Sequence, residues 1–86
     1  MIVWGVWSLT IAYVLAKVEA GKDQEVLREV KKKAGVQQAT PTYGVYDLHV
    51  QVTFNTMEEL DKFIFNEIRC IPGIKETVTL IAFKGI

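Results

Sequence analysis

Asp47, His49 and Gln51 occupy every second position of Val45–Phe54, which reads V-Y-D-L-H-V-Q-V-T-F. Successive side chains of an extended chain point to opposite faces, so a carboxylate, the single histidine and an amide share one side. Such a row could pass a proton between Asp47 and His49, or hold a small polar ligand between acceptors and donors. Tyr46, Leu48, Val50, Val52 and Phe54 fall on the opposite side and are apolar or aromatic throughout. The segment therefore predicts a strand with one face on an apolar layer and one polar face. No second base, nucleophile or metal partner stands at a recognisable spacing from His49, which favours an interface or hydrogen-bonded histidine over a catalyst.

The elements that must position this strand are legible around it. Strand one is expected at about Leu9–Glu19, apolar and continuous as a central strand would be. Ala20-Gly21-Lys22 is a turn, and a helix follows at about Asp23–Ala34 with Val26, Leu27, Val30 and Ala34 on its apolar stripe and Gly35 at its C′ end. Val36–Thr42 reads as strand two, an edge strand because Pro41 cannot donate to a ladder. Tyr43-Gly44 turns the chain into strand three. Thr56 and Glu59 have capping-box spacing, and Met57, Leu60, Ile64, Ile68 and Ile71 form the buried stripe of a second helix. Ile71-Pro72-Gly73 stops that helix before strand four at about Ile74–Phe83.

The order βαββαβ with right-handed crossovers implies an α+β, ferredoxin-like fold: a four-stranded antiparallel sheet with two helices on one face. Plain alternation assigns Leu48, Val50, Val52, Phe54, Val78 and Leu80 to the helices. It leaves Tyr13, Leu15, Asp47, His49, Gln51, Thr53, Thr77, Thr79, Ile81 and Phe83 on the open side. That mixture of apolar and polar groups suits a shared subunit interface with a pocket in it.

Composition narrows the function classes. Eighty-six residues make one domain, and half of them are apolar, an excess that a subunit contact would absorb. Ten basic and ten acidic residues cancel, which argues against a general binder of nucleic acid or membrane surfaces. Lys31-Lys32-Lys33 complements a helix C-terminus. Cys70 is the single cysteine, so no disulfide framework or zinc set exists, and it is expected as a small buried residue in a reducing cytoplasm. The uncharged start lacks signal-peptide features and is shorter than the ~20 residues a spanning helix needs. Residues 1–10 are expected as an apolar extension, with Trp4 and Trp7 packed on the domain or in an intersubunit contact, and residues 11–86 as a single ligand-binding domain.

Tyr43-Gly44-Val45-Tyr46-Asp47-Leu48, Glu58-Glu59-Leu60 and Ile71-Pro72-Gly73-Ile74-Lys75-Glu76-Thr77-Val78-Thr79 resemble the effector-binding, or RAM, domain of Lrp/AsnC transcription regulators. The G-x-Y-D turn followed by I-P-G-I-x-x-T-x-T carries most of the likeness. The full-length regulators bear an N-terminal helix-turn-helix, which has no counterpart in these residues, so a stand-alone member without direct DNA binding is expected. The resemblance implies a homodimer assembled into ring-like oligomers, with a free amino acid bound at subunit contacts and no cofactor. A full-length Lrp/AsnC regulator is a further expected partner. The family pattern places ligand contacts at Tyr43, Gly44, Val45, Tyr46, Asp47, Thr77 and Thr79, and side-chain selection at Asp61 and Phe65. The residue types suit a zwitterion, which needs acceptors at one end and hydroxyl or N–H donors at the other. Phe65, bulky and apolar, favours a non-basic ligand.

Local readings stand beside these. Asp47 could accept from turn N–H groups, Thr77 and Thr79 could be plain strand formers, and Tyr43 and Tyr46 could serve packing. Two other functions compete with a non-enzymatic regulatory module: a small ferredoxin-like enzyme, of oxygenase or isomerase type, using His49 with Asp47 on the open face, and an RNA-binding sheet. The latter wants aromatics at the centre of strand three, where Asp47, His49 and Gln51 stand.

Overall fold

A computed structural model describes residues 10–82. The proposed extension with Trp4 and Trp7, the start of strand one at Leu9, and Phe83 lie outside these residues. The elements are β1 (Thr10–Val18), α1 (Asp23–Lys31), β2 (Val36–Pro41), β3 (Leu48–Phe54), α2 (Met57–Phe63), a π-helical turn over Ile64–Ile68 that continues α2, and β4 (Ile74–Ile81). The sheet is antiparallel in the order β2-β3-β1-β4, so apolar β1 is central and Pro41 lies on an edge strand. This is the ferredoxin-like α+β arrangement.

The core follows from the two-residue period of β1 and β3. Ala12, Val14, Ala16 and Val18 of β1 and Leu48, Val50 and Val52 of β3 are buried against Val26 and Val30 of α1 and Leu60, Phe63, Ile68 and Ile71 around α2. Gly35, beyond α1 at φ +95°, brings the chain against Phe54, whose ring tilts on Phe63 at 4.8 Å. An ideal Cβ at residue 35 would stand 2.6 Å from Phe54 Cζ, so this close approach needs glycine.

α2 starts where its capping box predicts: Thr56 Oγ1 accepts from Glu59 N–H at 3.1 Å, and Glu59 Oε1 accepts in turn from Asn55 N–H at 3.3 Å. Its buried stripe differs from the regular one. Leu60, Phe63, Ile68 and Ile71 face inward, Ile64 is half-buried and Met57 is exposed. The π turn, closed by Arg69 N–H to Ile64 O at 2.9 Å, adds one residue to the helix and brings Phe63 and Ile68, five apart, onto one side.

β4 overturns the alternation expected of it. Lys17 pairs with Glu76, but Val18 pairs with Ile74, so Lys75 is an extra residue in a β-bulge. Directly opposed residues of an antiparallel pair share a face. Thr77 opposite Ala16 and Thr79 opposite Val14 thus face the helices, as does Ile81 opposite Ala12. Val78 opposite Leu15 and Leu80 opposite Tyr13 face the open side. Inserting one residue reverses every later side chain, which a pattern read forward from Ile74 misses.

Boundaries shift elsewhere. α1 ends at Lys31 and a turn runs to Gly35; β2 ends at Pro41; β3 begins at Leu48, with Thr42–Asp47 as a loop instead of the first residues of a strand. Cys70 is exposed on the outer side of the helical layer, with Sγ 3.5 Å from Phe65 O. It lies two residues beyond buried Ile68 and just before buried Ile71.

Candidate functional site

The loop between β2 and β3 is held by its last residue. Asp47 N–H donates to Ala16 O at 2.9 Å, Asp47 O accepts from Thr42 N–H at 2.9 Å, and Thr42 Oγ1 donates to Tyr46 O at 2.8 Å. The Asp47 carboxylate accepts from Val18 N–H through Oδ2 at 2.8 Å, tying the loop to the end of β1. Asp47 also borders two small cavities at that end of the sheet, one with Asp23, Gln24 and Leu27 of α1, the other with Asp23, Thr42 and Tyr43. The expected row of Asp47, His49 and Gln51 is therefore broken. Asp47 leaves the open face because the strand has not yet begun at that residue.

At the loop tip, Gly44 takes φ +117° with nothing within 4 Å of an added Cβ. Tyr43 is fully exposed and Val45 largely so, which leaves Tyr43 without the packing role expected of it within this chain. Tyr46 is half-buried on the open side, with the Lys17 ammonium 5.7 Å from its ring centre.

On the open face His49 stacks on Tyr13, ring centres 5.5 Å apart, in a row with Leu15 and Val78. Both rings are half-buried although, among the described residues, no helix or strand covers them. Among the described residues no hydrogen bond joins His49 to Asp47, so the acid–base couple required by an enzymatic reading is not assembled.

The remaining expected ligand residues lie across β1 from the loop. Thr77 is two strands from Asp47, with Ala16 between them, and borders a cavity of about 340 Å³ with Arg69, Ile74, Lys75 and Glu76. Thr79 is half-buried on the same, helix-facing side of β4. Asp61 is exposed on α2, and Phe65 is 62 % exposed on the π turn with the Arg69 guanidinium 5.0 Å from its ring centre. One chain thus presents two separate clusters, Tyr43–Asp47 at one end and Phe65, Arg69 and Thr77 beside β4. Arg69 and Lys75 were missed by sequence reasoning. The i, i+4 spacing from Phe65 to Arg69 was the available signal for the first. Among the described residues there is no group of three metal-binding side chains, and no helix is long and apolar enough to cross a membrane.

The sheet thus carries a G-x-Y-D loop tied to one side of β1 and a threonine-bearing strand on the other. Residues 11–86 match the model of the Lrp/AsnC ligand binding domain, and the chain belongs to that family. Among curated proteins it is 36 % identical over 74 residues to the HTH-type transcriptional regulator FL11 of Pyrococcus horikoshii, covering 86 % of this chain and 48 % of that one. The chain spans about half the length of the curated relatives it matches. Among solved structures, FFRP-DM1 superposes with a TM-score of 0.83 at 39 % identity, covering 86 % of this chain and 99 % of that chain. The regulator NMB0573 of Neisseria meningitidis, solved as its L-Met complex, shares the fold at a TM-score of 0.79 and 19 % identity, over 90 % of this chain and 51 % of that one.

Proposed function

We propose that the chain is an amino-acid-binding, oligomer-forming regulatory module that modulates transcription regulation of amino-acid metabolism. The observation that carries this reading is the open sheet face. Tyr13, Leu15, His49 and Val78 form a half-buried, largely apolar surface that no described helix or strand covers. A bare patch of this kind on a small domain calls for a partner, and a second copy supplies one of matching character. Family membership supports an effector role, as does the methionine held by the meningococcal neighbour. The relationship to FL11 supports a link to transcription, through a homo-oligomer or through pairing with a full-length Lrp/AsnC regulator.

The two clusters of ligand-type residues fit the same reading. Tyr43–Asp47 and Thr77 are separated by β1 within one chain, so a ligand touching both sets binds where the loop of one copy meets β4 of another. Native mass spectrometry with titration calorimetry against the twenty amino acids tests the proposal. A dimer or larger ring, with heat from at least one amino acid, is expected. A monomer at micromolar concentration together with no heat from any amino acid would refute it.

A further inference from the structure

We propose that the cleft between the end of the second helix and the start of β4 selects an acidic amino acid, with Arg69 as the residue that sets this preference. The inference rests on the amino-acid-binding reading above and names the class of effector.

Two backbone irregularities flank this one cleft. The π turn over Ile64–Ile68 delivers Phe65 and Arg69 on its outer side, and the β-bulge delivers Lys75. Single π turns and bulges recur where a chain re-aims a side chain toward a ligand. Arg69, Lys75, Glu76 and Thr77 all line the resulting cavity of about 340 Å³. That volume falls within the usual range for small-ligand pockets. The Arg69 guanidinium lies 5.0 Å from the centre of the Phe65 ring, which restricts its position before any ligand arrives.

The charges decide the ligand class. Among the described residues neither Arg69 nor Lys75 forms an ion pair, while the four pairs present join other lysines to glutamates. Glu76 has only a 3.9 Å contact with Lys17, both side chains being substantially exposed, so its carboxylate is weakly committed. The lining therefore carries two cations and one anion, a net charge of one positive. L-glutamate or L-aspartate at neutral pH carries two carboxylates and one ammonium, a net charge of one negative. Each charged group of such a ligand has an opposite group in the cleft, with the Thr77 hydroxyl as an added donor. A neutral zwitterion leaves one cation unanswered, and a basic amino acid adds like charge. The planar fork of Arg69 suits a carboxylate held by two parallel hydrogen bonds.

Calorimetry of the full chain with L-glutamate, L-aspartate, L-glutamine, L-leucine and L-lysine tests this, with Arg69→Gln and Arg69→Lys beside the wild type. L-glutamate or L-aspartate is expected to bind most tightly. Arg69→Gln should weaken that binding about tenfold or more, as loss of a charge-assisted hydrogen bond does, with partial recovery in Arg69→Lys. Arg69 is exposed, and an unchanged circular dichroism spectrum checks that the fold is retained. If L-glutamine, L-leucine or L-lysine binds more tightly than both acids, or if Arg69→Gln leaves acid binding unchanged, the preference is overturned while the effector reading stands. If none of the five binds, the acidic preference falls, and the titration against all twenty amino acids with the oligomeric state decides the effector reading separately.

Discussion

Replacing Asp47 separates its structural role from its proposed ligand role. Its carboxylate accepts the Val18 N–H at 2.8 Å in a half-buried setting and joins the β2–β3 loop to the central strand. Asp47→Ala removes the acceptor and leaves that N–H without its partner. A charge-assisted hydrogen bond of this kind contributes roughly 1.5–3 kcal/mol. For a domain of this size each kcal/mol moves the melting temperature by about 4–8 °C, so a loss on the order of 10 °C is expected. Asp47→Asn keeps a side-chain oxygen in place and should cost less than about 1 kcal/mol. Because Glu76 answers the ligand ammonium in the proposed cleft, the same Asn variant should keep its amino-acid affinity as well as most of its stability. Urea titrations followed by circular dichroism, at one fixed chain concentration because assembly adds to apparent stability, measure the first effect. Calorimetry measures the second. An Asp47→Ala midpoint equal to wild type would refute the anchoring role. Equal damage from Asn and Ala would show that charge, not the acceptor atom, holds the loop.

Three further outcomes are expected. Gly35→Ala should destabilise by about 2 kcal/mol or more, combining a left-handed backbone with a 2.6 Å approach to Phe54, whereas Gly21→Ala, also at positive φ but with open space around it, should cost about 1 kcal/mol; paired melting curves compare them. Leu15→Lys on the open face should shift the oligomer toward monomer in native mass spectrometry, whereas Lys31→Glu on the exposed end of α1 should leave assembly unchanged. Leu60→Ala, which empties a fully buried position under α2, should cost about 2–5 kcal/mol by denaturant titration.

Much of the architecture is legible in the residues because β1 and β3 are regular. Ala12 to Val18 and Leu48 to Val52 keep a strict two-residue period, and Thr56 with Glu59 marks the start of α2 in sequence as it does in space. Legibility fails where one residue is inserted into a repeating pattern. The π turn brings Phe63 and Ile68, five apart, onto one side, and the bulge at Lys75 exchanges the faces of Thr77 and Val78. Neither insertion changes composition or hydrophobicity, so neither leaves a local signal in the chain. Asp47 shows a different limit. Its residue type suits a strand row, a turn or a ligand equally, and only the position of the Val18 N–H decides which bond it makes. Arg69 and Lys75 look like ordinary solvated cations until the helix end and the edge strand are brought together.

The bulge at Lys75 also sets how this edge strand can change over evolutionary time. Loss of the single codon for Lys75 would restore a regular ladder, with Val18 opposite Ile74, Lys17 opposite Glu76 and Ala16 opposite Thr77, so every residue from Glu76 onward would keep its face. Such a deletion would remove one cation and the local kink at the mouth of the cleft, and nothing else. The charge beside β4 and the faces of its side chains can therefore change independently of one another.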